Sequence, residues 1–277
     1  MVTGCSTGIG RATAAVLRTA GWHVIPTARA PADLESLRED GFAPIALDLA
    51  DSTSVVDAAA EAIRRVDGQL GALVNNAGYG QVGALEDVSR DALRRQFEVN
   101  VFGMQELANC LLPHFRRAGA GRIVNVSSVY GFLTAPLLGS YCASKHAMES
   151  LSDALRMELR SAGIAVSLIE PGPIATAFRN NAATQAERSL EVARSRFGEV
   201  YRRAIERRKH RAKRPDFFTR PPEAVARKIR HALESPRPRR RYLVTIPAYV
   251  GAVGRRFLPF AVIDSLMRTQ LPRTPRE

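Results

Sequence analysis

Metal-ligand spacing is missing from this chain. Its three cysteines, Cys5, Cys110 and Cys142, form no CxxC pair, and its five histidines, His23, His114, His146, His210 and His231, recur at no ligand interval. Scattered thiols of this kind point to reduced cysteines, a reducing cytoplasmic setting and no structural zinc. No run of eighteen apolar residues occurs, so no membrane-spanning helix is expected. The start, MVTGCSTGIG, carries neither the basic flank nor the apolar stretch of a secretory signal. No internal repeat of fixed period is visible. Acidic residues run short only late in the chain. Residues 1–180 hold 16 Lys/Arg against 18 Asp/Glu, whereas residues 181–277 hold 24 against 9, and the whole carries +13. Of the 40 basic residues 36 are Arg, so a general bias towards Arg accounts for the excess. An anionic membrane or nucleic acid as partner is the alternative, and nucleic acid is the less favoured.

The 277 residues, 45% of them hydrophobic, fit one α/β domain. Continuous apolar runs at 24–27, 44–47, 72–75, 122–127 and 166–170 read as strands buried on both faces. Segments with helical spacing alternate with them, at 8–20, 32–40, 52–66, 91–117 and 141–161. This alternation predicts a Rossmann-type, doubly wound parallel sheet in a single domain. Beyond Pro171 the pattern changes. Residues 181–213 are polar, Arg-rich and helical, 222–235 form another helix, and 241–246 a last strand. Residues 1–246 thus form the expected catalytic domain, with a substrate loop at about 175–220. Residues 247–277 form an amphipathic extension whose helical pattern, 248–268, is interrupted by Pro259.

The run TGCSTGIG over 3–10 opens directly into a helical pattern. Glycine lets backbone approach a phosphate closely, and a helix N-terminus favours its negative charge. The spacing of Gly4, Gly8 and Gly10, with Ser6, Thr7 and Ile9 between them, differs from the common G-x-G-x-x-G. Read blandly, it is a flexible N-terminal turn. Only Met1 and Val2 precede Thr3, so the first strand looks truncated, and a start further upstream is expected. The upstream codons in frame would test that. An acidic residue about 20 positions past a glycine motif selects NAD. Here that position brings Arg29 and no carboxylate. An Arg pairs with a 2′-phosphate, so NADP(H) is preferred, with NAD as the alternative. Arg11 is a second candidate for that contact.

In the run YCASK over 141–145, Tyr141 and Lys145 stand at i and i+4, one helical turn apart. Ser127 and Ser128 end the apolar run IVNV, and Ser128 lies 13 residues before Tyr141. Upstream stand NNAG at 75–78 and VNVFG at 99–103, and downstream EPGPIAT at 170–176. This set, in this order, resembles the short-chain dehydrogenase/reductase family over residues 1–176, and the apolar Pro136, Leu137 and Leu138 before Tyr141, with the apolar C-terminal segment, resemble within it the retinol- and hydroxysteroid-type branch. The resemblance implies hydride transfer between nicotinamide and a carbonyl or alcohol. Tyr141 then resembles the general acid/base, and Lys145 the residue that lowers the tyrosine pKa and holds the nicotinamide ribose. Ser128 matches the substrate-orienting serine, and Asn100 the asparagine behind a proton-relay water. Around the cofactor, the resemblance implies contacts from Gly4, Ser6, Thr7, Gly8, Ile9, Gly10, Asp48, Leu49, Asn76, Ala77, Gly78, Pro171, Gly172, Ile174 and Thr176. Asp48 would meet the adenine, and Ile174 and Thr176 the carboxamide. A free phenol titrates near 10, so acid/base work near neutrality asks its surroundings for about 4 kcal/mol.

Ser127 reads as a strand-end cap, Cys142 as a helix packer, and Asn75 as a turn residue or a cofactor contact. Pro136, Leu137 and Leu138 make one wall apolar, which with the C-terminal segment suggests a lipophilic carbonyl or alcohol substrate. A homodimer or homotetramer is expected by family analogy, through the helices at 91–117 and 141–161. The C-terminal segment either packs over the substrate cleft or lies on a membrane. A non-enzymatic nucleotide-sensing or nucleic-acid-binding protein, using the Arg-rich run 194–220, is the competing function. An intact Ser–Tyr–Lys set argues against it.

Overall fold

The computed structural model describes residues 1–178, 181, 182, 184, 195–203 and 217–269. Two short strands, β1 (Thr27–Ala28) and β2 (Ile45–Ala46), pair in parallel. Four more, β3 (Ala72–Asn75), β4 (Gly121–Val126), β5 (Ile164–Pro171) and β6 (Arg241–Val244), form a parallel sheet in that order. Between the two sheets lies the chain start. Val2 bridges Pro26 on one side and Val74 on the other. Val2 N–H donates to Ile25 and Cys5 N–H to Thr27, while Thr3 N–H donates to Val74, each at 2.8–2.9 Å. The short lead therefore occupies a central strand position and joins β1 to β3, instead of leaving both edges unpaired. The Met1 backbone nitrogen donates to the Ala72 carbonyl at 2.9 Å, which continues the pairing with β3.

The strands read as unbroken apolar runs because both faces are covered. Leu73, Ile123 and Val166 face one layer, built from α3 (Ser52–Arg64), α5 (Gly103–Ala118) and α6 (Gly139–Glu158), with Leu107, Leu111 and Phe115 fully buried. Val74, Val124 and Ile169 face the other, where Leu17 of α1 (Gly8–Thr19), Leu37 of α2 (Pro31–Glu39) and Ile229 of α7 (Pro222–Glu234) meet them. Each such side chain contributes about 1.5–3 kcal/mol by leaving water.

The single helix expected over 91–117 is three pieces. α4 (Arg90–Phe97) runs into a π-turn at Glu98–Phe102, and α5 follows from Gly103. A π-turn admits one extra residue per turn without changing the composition, so periodicity alone does not reveal it. At the start of α5 the backbone rests on the loop after β2. A Cβ added to Gly103 would overlap the Leu49 carbonyl oxygen. Of the polar helix expected over 181–213, only 181, 182, 184 and 195–203 are described; 181, 182, 184 and 198–203 are helical and 195–197 are not, while most of the 194–220 run lies outside the described residues. After β6 come α8 (Ile246–Phe257) and α9 (Phe260–Arg268), parted at Leu258 and Pro259 as the missing proline N–H requires. The sheet thus ends at Val244, and the expected boundary at 246/247 falls in the first turn of α8.

Candidate active site

The carboxyl ends of the strands gather the candidate residues on one rim. Gly4 sits at φ +69°, and a Cβ there would come within 2.7 Å of the Ala77 Cα. A Cβ on Gly10 would overlap the Gly4 carbonyl, so the loop from Gly4 to Gly10 can close only with glycine at both ends. Thr7 caps α1 with no side-chain hydrogen bond, and the first turn holds no acidic residue. Ser6, Thr7, Gly8 and Ile9 therefore surround a helix N-terminus whose partial positive charge no side chain of its own offsets.

The loop is held from behind. Asn76 Nδ2 donates to the carbonyls of Thr3 (2.9 Å) and Gly4 (3.1 Å), and Thr3 Oγ1 accepts from the N–H groups of Asn76 and Ala77. The Asn76 side chain is thus a staple for the glycine loop. Arg11 is tied down as well, to Asp40, Ser36 and the Ser6 carbonyl. Arg29, directly after β1, is 72% exposed, with Asp48 its nearest carboxylate at 3.9 Å. Of the two arginines read from the sequence, Arg29 is the one that presents a solvent-facing guanidinium. Asp48 Oδ1 accepts from Ala50 N–H and so shapes the turn that carries Leu49.

Ser128 follows β4, and Tyr141 and Lys145 lie on α6. All three are buried. Burial pushes the Tyr141 phenol above its ordinary range, opposed by a hydrogen bond with Ser128. The expected lowering by Lys145 does not arise among this chain's own groups. Lys145 Nζ donates to the Val126 carbonyl at 2.8 Å and lies 5.9 Å from the Tyr141 ring centre. Burial pushes Lys145 down to about 8, with Glu149 opposing.

Asn100 is fully buried in the π-turn. Its Oδ1 accepts from Tyr79 N–H, and its Nδ2 donates to the Tyr79 carbonyl and to Ser144 Oγ. Ser144 in turn donates to the Tyr141 carbonyl at 2.8 Å. A Cβ on Gly78 would sit 3.0 Å from Asn100 Oδ1. Gln96, which the sequence reading passed over, also grips this loop through Gln81 N–H and the Tyr79 carbonyl. Asn75 ends β3 instead of closing a turn. It is buried between strands and donates to Asn125 Oδ1, which leaves Asn125 Nδ2 for Ser152.

From Pro171, at the end of β5, the chain turns over the glycine loop. Gly172 N–H donates to the Val244 carbonyl, Ile174 bridges Arg220, and Thr176 packs against the place where a Gly8 Cβ would stand. Phe178 covers Tyr141 (ring centres 5.4 Å) and Gly80, and Tyr130 meets Tyr141 edge-on at 6.3 Å. Further out, Tyr201 donates to Asp87 at 2.5 Å and accepts from Ala84 N–H, which clasps residues 195–203 to the loop before α4. Behind α6, Arg241 pairs with Glu149, Glu170 and Asp153. These partners lie up to 92 positions away, so no local motif could have announced them. Among the described residues, no cluster fit to hold a metal ion occurs.

Comparison with known proteins places this geometry. A family model described as short chain dehydrogenase matches residues 1–187. An uncharacterized oxidoreductase, YbbO, of Escherichia coli K12 is 42% identical over 97% of this chain and 93% of its own. An NADPH-dependent 3-dehydrocapnine reductase of Ornithobacterium rhinotracheale is 32% identical over 100% of this chain and 98% of its own. A solved short chain dehydrogenase/reductase of Burkholderia phymatum, in complex with NAD, superposes with TM-score 0.76 at 28% identity, covering 100% of this chain and 96% of that one.

Proposed function

Since the chain belongs to the short-chain dehydrogenase/reductase family and is therefore an NAD(P)-dependent oxidoreductase, we propose that it prefers NADPH and reduces a lipophilic ketone or aldehyde, or oxidises the matching alcohol. The observation that carries this reading is the convergence of buried Ser128, Tyr141 and Lys145 beside a glycine cradle that no Cβ could enter. The cradle and the uncapped N-terminus of α1 fit a dinucleotide pyrophosphate, which two or three first-turn N–H groups would hold. When bound, the nicotinamide dinucleotide supplies the hydride and, once oxidised, a positive charge beside the phenol.

The chain's own groups do the rest. Ser128 Oγ donates to the substrate oxygen as negative charge grows on it. Tyr141 Oη delivers a proton to that oxygen in reduction and takes it back in oxidation. Lys145 Nζ would donate to the ribose hydroxyls and so keep the nicotinamide seated beside the phenol. Asn100 fixes the Tyr79 loop and Ser144 against Tyr141 and so keeps the relay in register. Ile174 and Thr176 flank the carboxamide, and Asp48, Leu49, Ala77 and Gly78 line the adenosine side. Arg29, exposed and only loosely paired, is placed for a 2′-phosphate, and a relative whose name states NADPH dependence supports that preference.

Phe178, Tyr130 and Leu137 favour an apolar substrate. Phe102 and Met157 stay exposed on the helices at 91–117 and 141–161, which supports pairing of two copies there. The intact acid/base set leaves a purely nucleotide-sensing role without support.

Oxidation of NADPH and NADH with aldehydes and ketones of rising chain length tests the reading. Turnover should be faster with NADPH and grow with chain length. No turnover with any carbonyl, or a clear NADH preference, would defeat it.

A further inference from the structure

One surface serves neither the fold nor the chemistry. Sixteen large hydrophobic residues are exposed among the described residues, and nine of them fall within Ile246–Leu266. α9 has no buried residue, and α8 has only Ala248. The extension thus does not fold its apolar side over the cleft. By helical spacing Tyr249, Val250, Val253 and Phe257 lie on one side of α8, and Phe260 and Leu266 of α9 are exposed as well; soluble monomers rarely leave so much neighbouring apolar surface uncovered.

Charge narrows what covers it. α8 contains no acidic residue and α9 only Asp264. Arg255 and Arg256 stand at the bend, with their guanidinium groups 4.6 Å from the Phe260 ring and 5.9 Å from the Phe257 ring. Arg268 ends α9. Among the described residues, 237–268 hold seven arginines and one carboxylate. A second copy paired about a two-fold on this face would set arginine against arginine with almost no carboxylate to receive it. An anionic lipid surface meets both demands, since arginine stems lie along apolar groups while their heads reach phosphate.

We propose that α8 and α9 dock this protein on membranes bearing anionic lipids. The other side of α8 is anchored beside the active site. A Cβ on Gly251 would fall 2.9 Å from Leu133 and 3.6 Å from Val129, the residue after Ser128. Docking therefore brings the mouth of the cleft to the lipid surface, where an apolar substrate is concentrated. Surface attachment stands independently of the cofactor and substrate reading, and only the delivery of substrate rests on it.

Co-sedimentation of the full chain with phosphatidylcholine vesicles, with and without about one third phosphatidylglycerol, tests the docking. Partition should be at least tenfold higher with the anionic vesicles, and about 0.5 M NaCl should remove most of that preference. Phe257→Ser with Phe260→Ser should lower partition at least tenfold, and Arg255→Gln with Arg256→Gln should erase the preference for anionic lipid. Circular dichroism confirms that the variants fold, and the salt titration of the unaltered chain needs no variant. Turnover of a short water-soluble ketone should be unchanged in these variants, while that of a long-chain ketone carried in vesicles falls. Loss of both activities would count against the delivery step and leave the sedimentation result standing. Sedimentation with anionic vesicles no greater than with neutral ones would overturn the proposal. So would a self-associated chain that the serine variants turn monomeric in sedimentation velocity without altering vesicle partition.

Discussion

Burial acts on Tyr141 and Lys145 in opposite senses, raising the acid and lowering the base, and both shifts favour neutral side chains. Tyr141→Phe removes the only proton that the phenol can exchange. Turnover should fall at least about a thousandfold while NADPH binding, followed by fluorescence, persists. Lys145, at about 8, loses its charge as pH rises past that value, so kcat/KM for reduction should decline on the alkaline side. Glu149 holds that pKa up. Glu149→Gln should therefore move the alkaline limb to lower pH, and an unmoved limb would show that the carboxylate field does not reach Lys145. At the other end of the cleft, Arg29→Asp exchanges a guanidinium for a carboxylate. A hydrogen bond to a charged group is worth about 1.5–3 kcal/mol, so the KM ratio for NADPH over NADH should rise about tenfold or more.

The last strand is joined to α6 through Arg241, whose partners Glu149 and Glu170 are almost wholly buried. Breaking a buried pair costs about 3–5 kcal/mol, and because the arginine is 40% exposed the expected loss for Arg241→Met is about 2–3 kcal/mol. Burial and the neighbouring Glu149 raise the Glu170 carboxyl above its ordinary value. The folded chain then holds a proton that the unfolded chain has lost, so stability falls as pH rises from the ordinary carboxylate range towards neutrality. Without Arg241 that fall should steepen, and thermal melts at pH 5.5 and 8 would show it. Strands and helices were legible because apolar runs and 3.6-residue spacing are local, and the glycine loop and the Tyr–Lys turn because their spacing is short. The π-turn was not legible, since an extra residue in one turn leaves composition unchanged. Nor were the grips of Gln96, Ser144 and Arg241, which depend on partners far along the chain. Asn76 stands in the sequence as a cofactor-contact candidate, and that its side chain holds the glycine loop from behind depends on partners more than 70 positions away.

Across the whole molecule, basic charge and exposed apolar surface coincide in the last third, and the chemistry occupies the rest. Among the described residues, no helix is long and apolar enough to cross a membrane. The charge imbalance was plain in the sequence, but that the amphipathic extension leaves its apolar side open was not, because an apolar stripe reads alike whether covered or bare. Gly103 ties the two ends of the cleft together. Its backbone rests on the Leu49 carbonyl, beside Asp48, and three residues earlier Asn100 grips the loop at Tyr79. Gly103→Ala should raise the KM for NADPH, lower kcat and reduce Tm together, whereas Gly71→Ala, with open space around it, should leave all three nearly unchanged. The contact works as a spacer gauge, setting the span between the adenosine rim and the proton relay by backbone alone. Redesigning the rim for another nucleotide would then shift the relay too, so cofactor preference and turnover would have to be retuned as one variable.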